Sequence, residues 1–313
     1  MIELKGMKKS VLFVLFLLVL VSCARKSTEP QVTDFRYGTE GIRMEFVQNL
    51  PPPRLFDREP FNVMIQVENR GTTTIGQQDG AIFLSGFDNT IITGINTNGI
   101  PIPELEGRGP FIPKGGINVV NFKGVIQSLS GKRIDKYQPT ILATACYHYE
   151  TVASAQVCID PNPYAATSQQ RVCSPGTISP GSQGAPIAVT SVQVDPSPGK
   201  TRFTINIQNV GGGDVFKFGG QYLDKCSPYN PGLGFDEIDF VRVADVTISG
   251  TKLAGCKPVD NQGFVRLANG MASLYCEYGG MLGQSAYLTP LNIILHYGYR
   301  QSIARPIEIR PVA

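Results

Sequence analysis

The sequence predicts an all-β protein made of two tandem, duplicated antiparallel β-sandwich domains, and three observations predict it. Val63, Ile65 and Val67 alternate with polar neighbours, as do Phe203, Ile205 and Ile207. That is the period of a half-buried strand. Gly (34) and Pro (23) punctuate the chain often enough for many short strands, and no helical stripe appears beyond the first thirty residues. The third observation is a repeat. FNVMIQVENRG at 61–71 reappears as RFTINIQNVG at 202–211, with Asn69 and Asn209 140 residues apart.

At the N-terminus, Lys8 and Lys9 precede an unbroken apolar run over 11–21 that stops at Ser22-Cys23. Such a run suits a signal-peptide core and falls short of the ~20 residues that span a bilayer. The segment from Met7 is already a complete signal, which points to Met7 as the start. The ending Leu20-Val21-Ser22-Cys23 resembles the lipobox of secreted lipoproteins. The resemblance implies a signal peptide over 1–22 and lipidation of Cys23, which becomes the first mature residue. It implies a polar tether over 23–31 and a place on the extracytoplasmic face of the cell membrane. Removing 1–22 takes away Lys5, Lys8, Lys9 and Glu3, so 28 basic residues become 25, 25 acidic become 24, and the net charge becomes +1. No basic patch interleaved with aromatics follows, so nucleic acid is not an expected partner.

The mature chain exceeds the usual single-domain size. The repeat divides it into a first domain over 32–160, a linker over 161–184 rich in Pro, Ser, Gly and Gln, and a second domain over 185–313. YQPTILATACYHY at 137–149 answers YLTPLNIILHYGY at 287–299, with three tyrosines at an offset of 150. Between these anchors, PFIP at 110–113 aligns with PYNP at 228–231, and Phe122 with Phe240, both 118 apart; Leu129-Ser130-Gly131 aligns with Ile248-Ser249-Gly250 at 119. On that register the first copy carries 22 extra residues before Pro110, and the second carries 31 between Gly250 and Tyr287, an insertion near 254–284.

The strand ending Val67-Glu68-Asn69-Arg70-Gly71, and its counterpart Ile207-Gln208-Asn209-Val210-Gly211, resemble the V-x-N-x-G strand and turn of CARDB-type, immunoglobulin-like domains of archaeal and bacterial surface proteins. The resemblance covers some twenty residues in each half and implies a seven-stranded sandwich without implying an activity. Asn and Gly suit a turn with positive φ.

With Cys23 set aside, Cys146, Cys158, Cys173, Cys226, Cys256 and Cys276 remain. An even count in an exported chain reads as disulfides. Metal ligation is not expected, since no CxxC or HxxxH spacing occurs and the chain has two histidines. Cys256 and Cys276 fall inside the insertion and would staple it. Cys146 and Cys158 flank 150–154, read as a hairpin turn, and would pair across it. Elimination leaves Cys173 with Cys226.

Chemistry is sparse. His148 and His296 fall at non-equivalent positions beside tyrosines, and no nucleophile motif accompanies them. They read as strand histidines satisfied by neighbours, and the tyrosines as a sheet-face ladder. Asp236, Glu237 and Asp239 lack a Ca²⁺-loop pattern, and Gly211–Gly213 reads as a turn. The candidate binding loops are Pro110, Phe111 and Pro113, and Pro228, Tyr229 and Pro231. The more favoured use of these segments is simply to close the sandwich ends. The function read from the sequence is a lipid-anchored surface protein that binds or scaffolds a protein partner, with no cofactor. The alternative is a structural subunit of an envelope-associated secretion or pilus-type assembly. A surface hydrolase is the rival from another class.

Overall fold

The computed structural model describes residues 35–164, 171–253, 255–280 and 285–312. The expected signal peptide, the expected start at Met7, the expected lipidation at Cys23 and the expected tether lie outside them. The first half supplies β1 (Ile42–Phe46), β2 (Arg54–Phe56), β3 (Pro60–Asn69), β4 (Gly80–Ser85) and β5 (Ile92–Thr93). It continues through β6 (Ile100–Pro101), β7 (Ile117–Ile126) and β8 (Thr140–Ile159). The second half opens with β9 (Thr177–Ile178), β10 (Ile187–Ser197), β11 (Lys200–Asn209) and β12 (Asp214–Phe216). A short helix α1 (Gly220–Lys225) follows, then β13 (Phe240–Ile248), β14 (Thr251–Lys252) and β15 (Phe264–Arg266). The chain closes with β16 (Met271–Tyr278), β17 (Tyr287–Pro306) and β18 (Glu308–Arg310). The all-β expectation holds: the regular structure is nearly all β, 51% strand against 3% helix, arranged in several antiparallel sheets.

Two four-stranded sheets, ordered β1-β3-β7-β5 and β16-β11-β10-β9, turn their apolar sides to one face of an eight-stranded sheet. The large sheet runs β14-β13-β17-β8-β4-β6, with β12 also on β17 and β15 on β13. Its spine is the pair β8 and β17, matched over 20 residues from Tyr287↔Ile159 to Pro306↔Thr140. The two halves therefore share one sheet, and Asp34–Ala313 forms one compact unit. The C-terminal β18 returns to the first half, pairing in parallel with β2.

The β8–β17 register places His148 opposite Gly298, with Tyr147 opposite Tyr299 and Tyr149 opposite Tyr297. An offset of 150 carries each of these residues onto the partner of its own mirror position, so the centre of the pairing is a local pseudo-dyad. All four tyrosines are buried, with neighbouring ring centroids 5.9–6.4 Å apart. Each hydroxyl has a fixed partner, and the partners recur. Tyr147 Oη accepts from Ile42 N (3.1 Å), and Tyr297 Oη from Ile187 N (3.4 Å). Tyr149 Oη accepts from Thr73 N and donates to Asn69 Oδ1; Tyr299 Oη accepts from Gly213 N and donates to Asn209 Oδ1. Burial raises all four phenol pKa values, so they stay protonated donors.

These contacts explain the Asn-x-Gly motif and correct one expectation. Neither Asn nor Gly of the motif takes positive φ. Glycine is required by proximity: a Cβ on Gly71 would lie 1.9 Å from Tyr149 Oη, and one on Gly211 2.3 Å from Tyr299 Oη. Asn69 Nδ2 donates to Thr73 O and Leu105 O, and its Oδ1 accepts from Gly71 N. Asn209 Nδ2 donates to Gly213 O. Asn69 is fully buried and Asn209 partly exposed. Asn69→Ala should therefore cost about 2 kcal/mol and Asn209→Ala about half as much, read by denaturant unfolding.

Four further expectations are corrected. Residues 150–154 form no turn: β8 is continuous, so Cys146 and Cys158 stand about 40 Å apart along one strand and cannot pair. The bonds are Cys146–Cys226, Cys158–Cys173 and Cys256–Cys276, of which only the last was expected. Phe122 and Phe240 are not counterparts, because β7 pairs with β3 in a small sheet and β13 with β17 in the large one. The stretch near 254–284 contains β16, which pairs with β11 over eight residues and so is a sheet strand. The stretch read as linker contributes β9 to a sheet, and Cys173 pins it to β8.

Candidate functional site

Even-numbered residues of β8 and β17 face away from the main core, and at the pseudo-dyad this outer face is covered by residues 217–239. Phe216, at the end of β12, lies flat on Gly298: a Cβ there would come 2.0 Å from Phe216 Cε2. Gly298 is the residue that lets the cover descend onto the sheet. The Cys146–Cys226 bond (Cα–Cα 6.1 Å) clamps the cover to β8 and forms, with Phe83 and Phe216, a second small core. Tyr222, Leu223, Tyr229 and Leu233 pack onto it.

Both histidines of the chain meet under this cover. The Phe218 ring sits between them, 4.4 Å from His148 and 5.2 Å from His296. Gly219 N donates to His148 Nε2 (3.2 Å), which assigns the neutral tautomer with its proton on Nδ1. His296 Nε2 lies 2.8 Å from Glu150 Oε2. Burial lowers the His148 pKa below its usual 6.5, against the Asp79 charge, which favours protonation; His296 nearby adds to the lowering, and the Gly219 N–H aimed at Nε2 disfavours a proton there as well. Above pH 6.5 the imidazole is neutral folded and unfolded. As pH falls through 6.5 the unfolded chain takes the proton first, so stability falls until the lower folded pKa is reached. His148→Gln, which retains a hydrogen-bonding tip, should flatten the stability–pH curve below 6.5, measured by chemical unfolding across pH.

Two grooves flank the clamp. One, of about 370 Å³, has Ala81 and Phe83 at its floor and Asn98, Asp224, Tyr229 and Asn230 around it. Tyr229 donates its hydroxyl to Leu84 O (2.5 Å). The other, of about 380 Å³, is lined by Thr144, Asp214, Lys225, Pro228, Arg300 and Ser302. Arg300 pairs with Asp214 at 2.8 Å, and Lys225 with Glu237, which also accepts from Gly234 N. The Lys225 hydrogen bond, followed by that from Gly234, holds the Glu237 carboxyl below its usual range. The acidic stretch 236–239 is thus tied into the cover, and among the described residues no group of His, Cys, Asp or Glu is arranged to hold a metal ion.

The candidate loops fall in different settings. Pro228 is exposed and lines the second groove, Tyr229 is half-buried and lines the first, and Pro231 is exposed outside both linings. Pro110, Phe111 and Pro113 are exposed on the loop before β7, and Phe111 is 95% exposed. Sequence reasoning located Tyr229, but missed Phe216, Phe218 and Gly298, whose roles depend on strand register. The shared offset of the tyrosines, continued one residue to Gly298, carried the only signal.

No protein-family model matches the chain, and no curated protein matches it. Among solved structures it is weakly similar to the secreted serine protease VesC from Vibrio cholerae, with 8% identity and a TM-score of 0.19. The match covers 87% of this chain and 52% of that one, so the chain spans about half of that protein's length. A likeness at that level carries no argument. Among the described residues, no helix is long and apolar enough to cross a membrane.

Proposed function

We propose that the chain is an exported lipoprotein, anchored through Cys23 at the extracytoplasmic face of the cell membrane, that binds or scaffolds a protein partner without catalysis. The observation that carries the reading is the disulfide-clamped cover of residues 217–239, which spans both halves and frames two grooves. Three disulfides suit an oxidising compartment outside the cytoplasm. His148 spends its Nε2 on Gly219 N and its ring face on Phe218, a structural use of the imidazole. In this reading the two halves descend from one immunoglobulin-like, CARDB-like domain. The recurring Asn–Tyr hydrogen bonds at offsets of 140 and 150 support the duplication.

The partner contacts the rims at Pro228, Tyr229 and Pro231. Cross-linking from a photoreactive group at residue 230, in cells making the full-length protein, should capture a fixed membrane-protein set. A set of components of one machine would favour the alternative reading, a subunit of an envelope-associated assembly. Cross-links to no protein would defeat both.

A further inference from the structure

We propose that the turn bearing Pro110 and Phe111 is a membrane-interface contact, which seats the folded unit on the phospholipid surface that Cys23 tethers it to; this rests on the lipidation reading above. Phe111 is the most exposed large apolar side chain among the described residues. It is also held there. Gly109 N donates to Ile112 O (3.1 Å) and Ile112 N to Gly109 O (3.2 Å), closing a tight turn. Arg108 N→Gly71 O (2.7 Å) and Gly116 N→Glu106 O (2.8 Å) fasten its base. Pro110 and Pro113 carry no backbone N–H and add exposed apolar surface.

The chain enters the described structure beside this turn. Arg108 Nη1 donates to Tyr37 O (3.0 Å), and its guanidinium lies 4.1 Å over the Tyr37 ring. Tyr37 is itself 49% exposed. Tyr37 lies fourteen positions after Cys23 in the sequence, a reach of at most about 50 Å. A lipid on Cys23 therefore keeps the tip at high effective concentration beside the bilayer. An aromatic side chain on a rigid turn gains apolar burial at the interface with little entropy to lose.

The corresponding turn of the second half has no such tip. Asn69 N donates to Gly116 O and Asn209 N to Gly270 O, so the two approaches correspond. Gly270 is reached through a closed turn, Ala268 bonded to Met271 in both directions, whereas the first half carries the longer loop with Phe111. The addition belongs to the half that receives the tethered chain. Around the tip, the exposed Arg36 and Lys114 are balanced by Glu104 and Glu106, so apolar burial and not anionic lipid drives the contact.

The chain contains no tryptophan, so Phe111→Trp creates a unique reporter. The full-length lipidated protein carrying it is reconstituted in phosphatidylcholine vesicles, with Phe235→Trp, at another exposed position, as the comparison. The indole at 111 should emit further to the blue than in detergent-free buffer and be quenched by lipids brominated in the acyl chain, whereas the indole at 235 should do neither. Water-like, unquenched emission at 111 overturns the proposal. So does equal quenching at both positions, a response that requires anionic lipid, or a shift that appears only on adding membrane proteins. Intact mass reports the anchor separately. An unacylated Cys23 removes the lipidation reading, and the tip is then judged by whether that protein's indole responds to added vesicles.

Discussion

Replacing Cys146 and Cys226 together by alanine should lower the unfolding free energy by about 4 kcal/mol, the largest loss expected from any disulfide in the chain. The bond spans 80 residues, against 15 for Cys158–Cys173 and 20 for Cys256–Cys276. In the loop-entropy account longer closures restrict the unfolded chain more, which puts the two shorter bonds near about 3 kcal/mol each. The long bond also has a local role. It holds residues 217–239 over the outer face, and the small core of Phe83 and Phe216 depends on that cover. Trypsin should therefore cut the double variant after Lys217 or Lys225 under conditions that leave β8 and β17 intact. Guanidinium unfolding gives the global loss and timed digestion the local one. Equal protection of the two proteins would show that the cover is held by packing alone.

Gly298→Ala should cost about 3 kcal/mol, although it adds one methyl group to an already buried strand. The added Cβ would stand 2.0–2.4 Å from three atoms of the Phe216 ring. Relief requires the ring to lift, and the ring is pinned by β12 pairing with β17 at Val215↔Tyr299 and Phe216↔Gly298. Overpacking of a filled core typically costs 1–3 kcal/mol, and this site is at the upper end because neither side can retreat. The identity of the clash is open to a double-mutant cycle with Phe216→Leu. If the ring is the obstacle, the smaller side chain should recover at least about 1 kcal/mol of the Gly298→Ala loss. Strict additivity would place the strain elsewhere.

Much of the fold was legible because inward residues are strongly apolar. Val63, Ile65 and Val67 in β3, and Phe203, Ile205 and Ile207 in β11, announce their strands and are all buried. The centre of β8 was misread for the opposite reason. Its inward residues beyond Tyr149 are Thr151, Ala153 and Ala155, whose small side chains hide the period of two. They are small because a neighbouring layer comes close: Thr151 Oγ1 donates to Ile187 O at 2.6 Å, on β10. Reading that stretch as a turn produced the wrong partner for Cys146. The register between the halves fails at Pro110 and Pro228 because the matched Pro-x-x-Pro and Ser-Gly segments lie in loops and turns, not in strands. Matching them aligns turn chemistry in place of strands and makes an insertion of β16, which pairs with β11.

The site was less legible than the fold. Of the segment singled out in the sequence, Tyr229 lines one groove and Pro228 the other, while Pro231 lines neither. Phe218 and Gly298 carry no local signal, since one is an aromatic in a Gly-rich stretch and the other a glycine between tyrosines. Their meaning arises from the pairing of His148 with Gly298 across two strands 150 residues apart.

Two halves join at the β8–β17 dyad and are clamped by the cover, and we propose that the chain carrying them is exported and lipidated at Cys23. Non-reducing peptide mapping by mass spectrometry, on protein purified from membranes, tests this most directly. The predicted map links Cys146 to Cys226, Cys158 to Cys173 and Cys256 to Cys276, with Cys23 acylated at the new N-terminus. A peptide joining Cys146 to Cys158, or free thiols at 146 and 226, would contradict it.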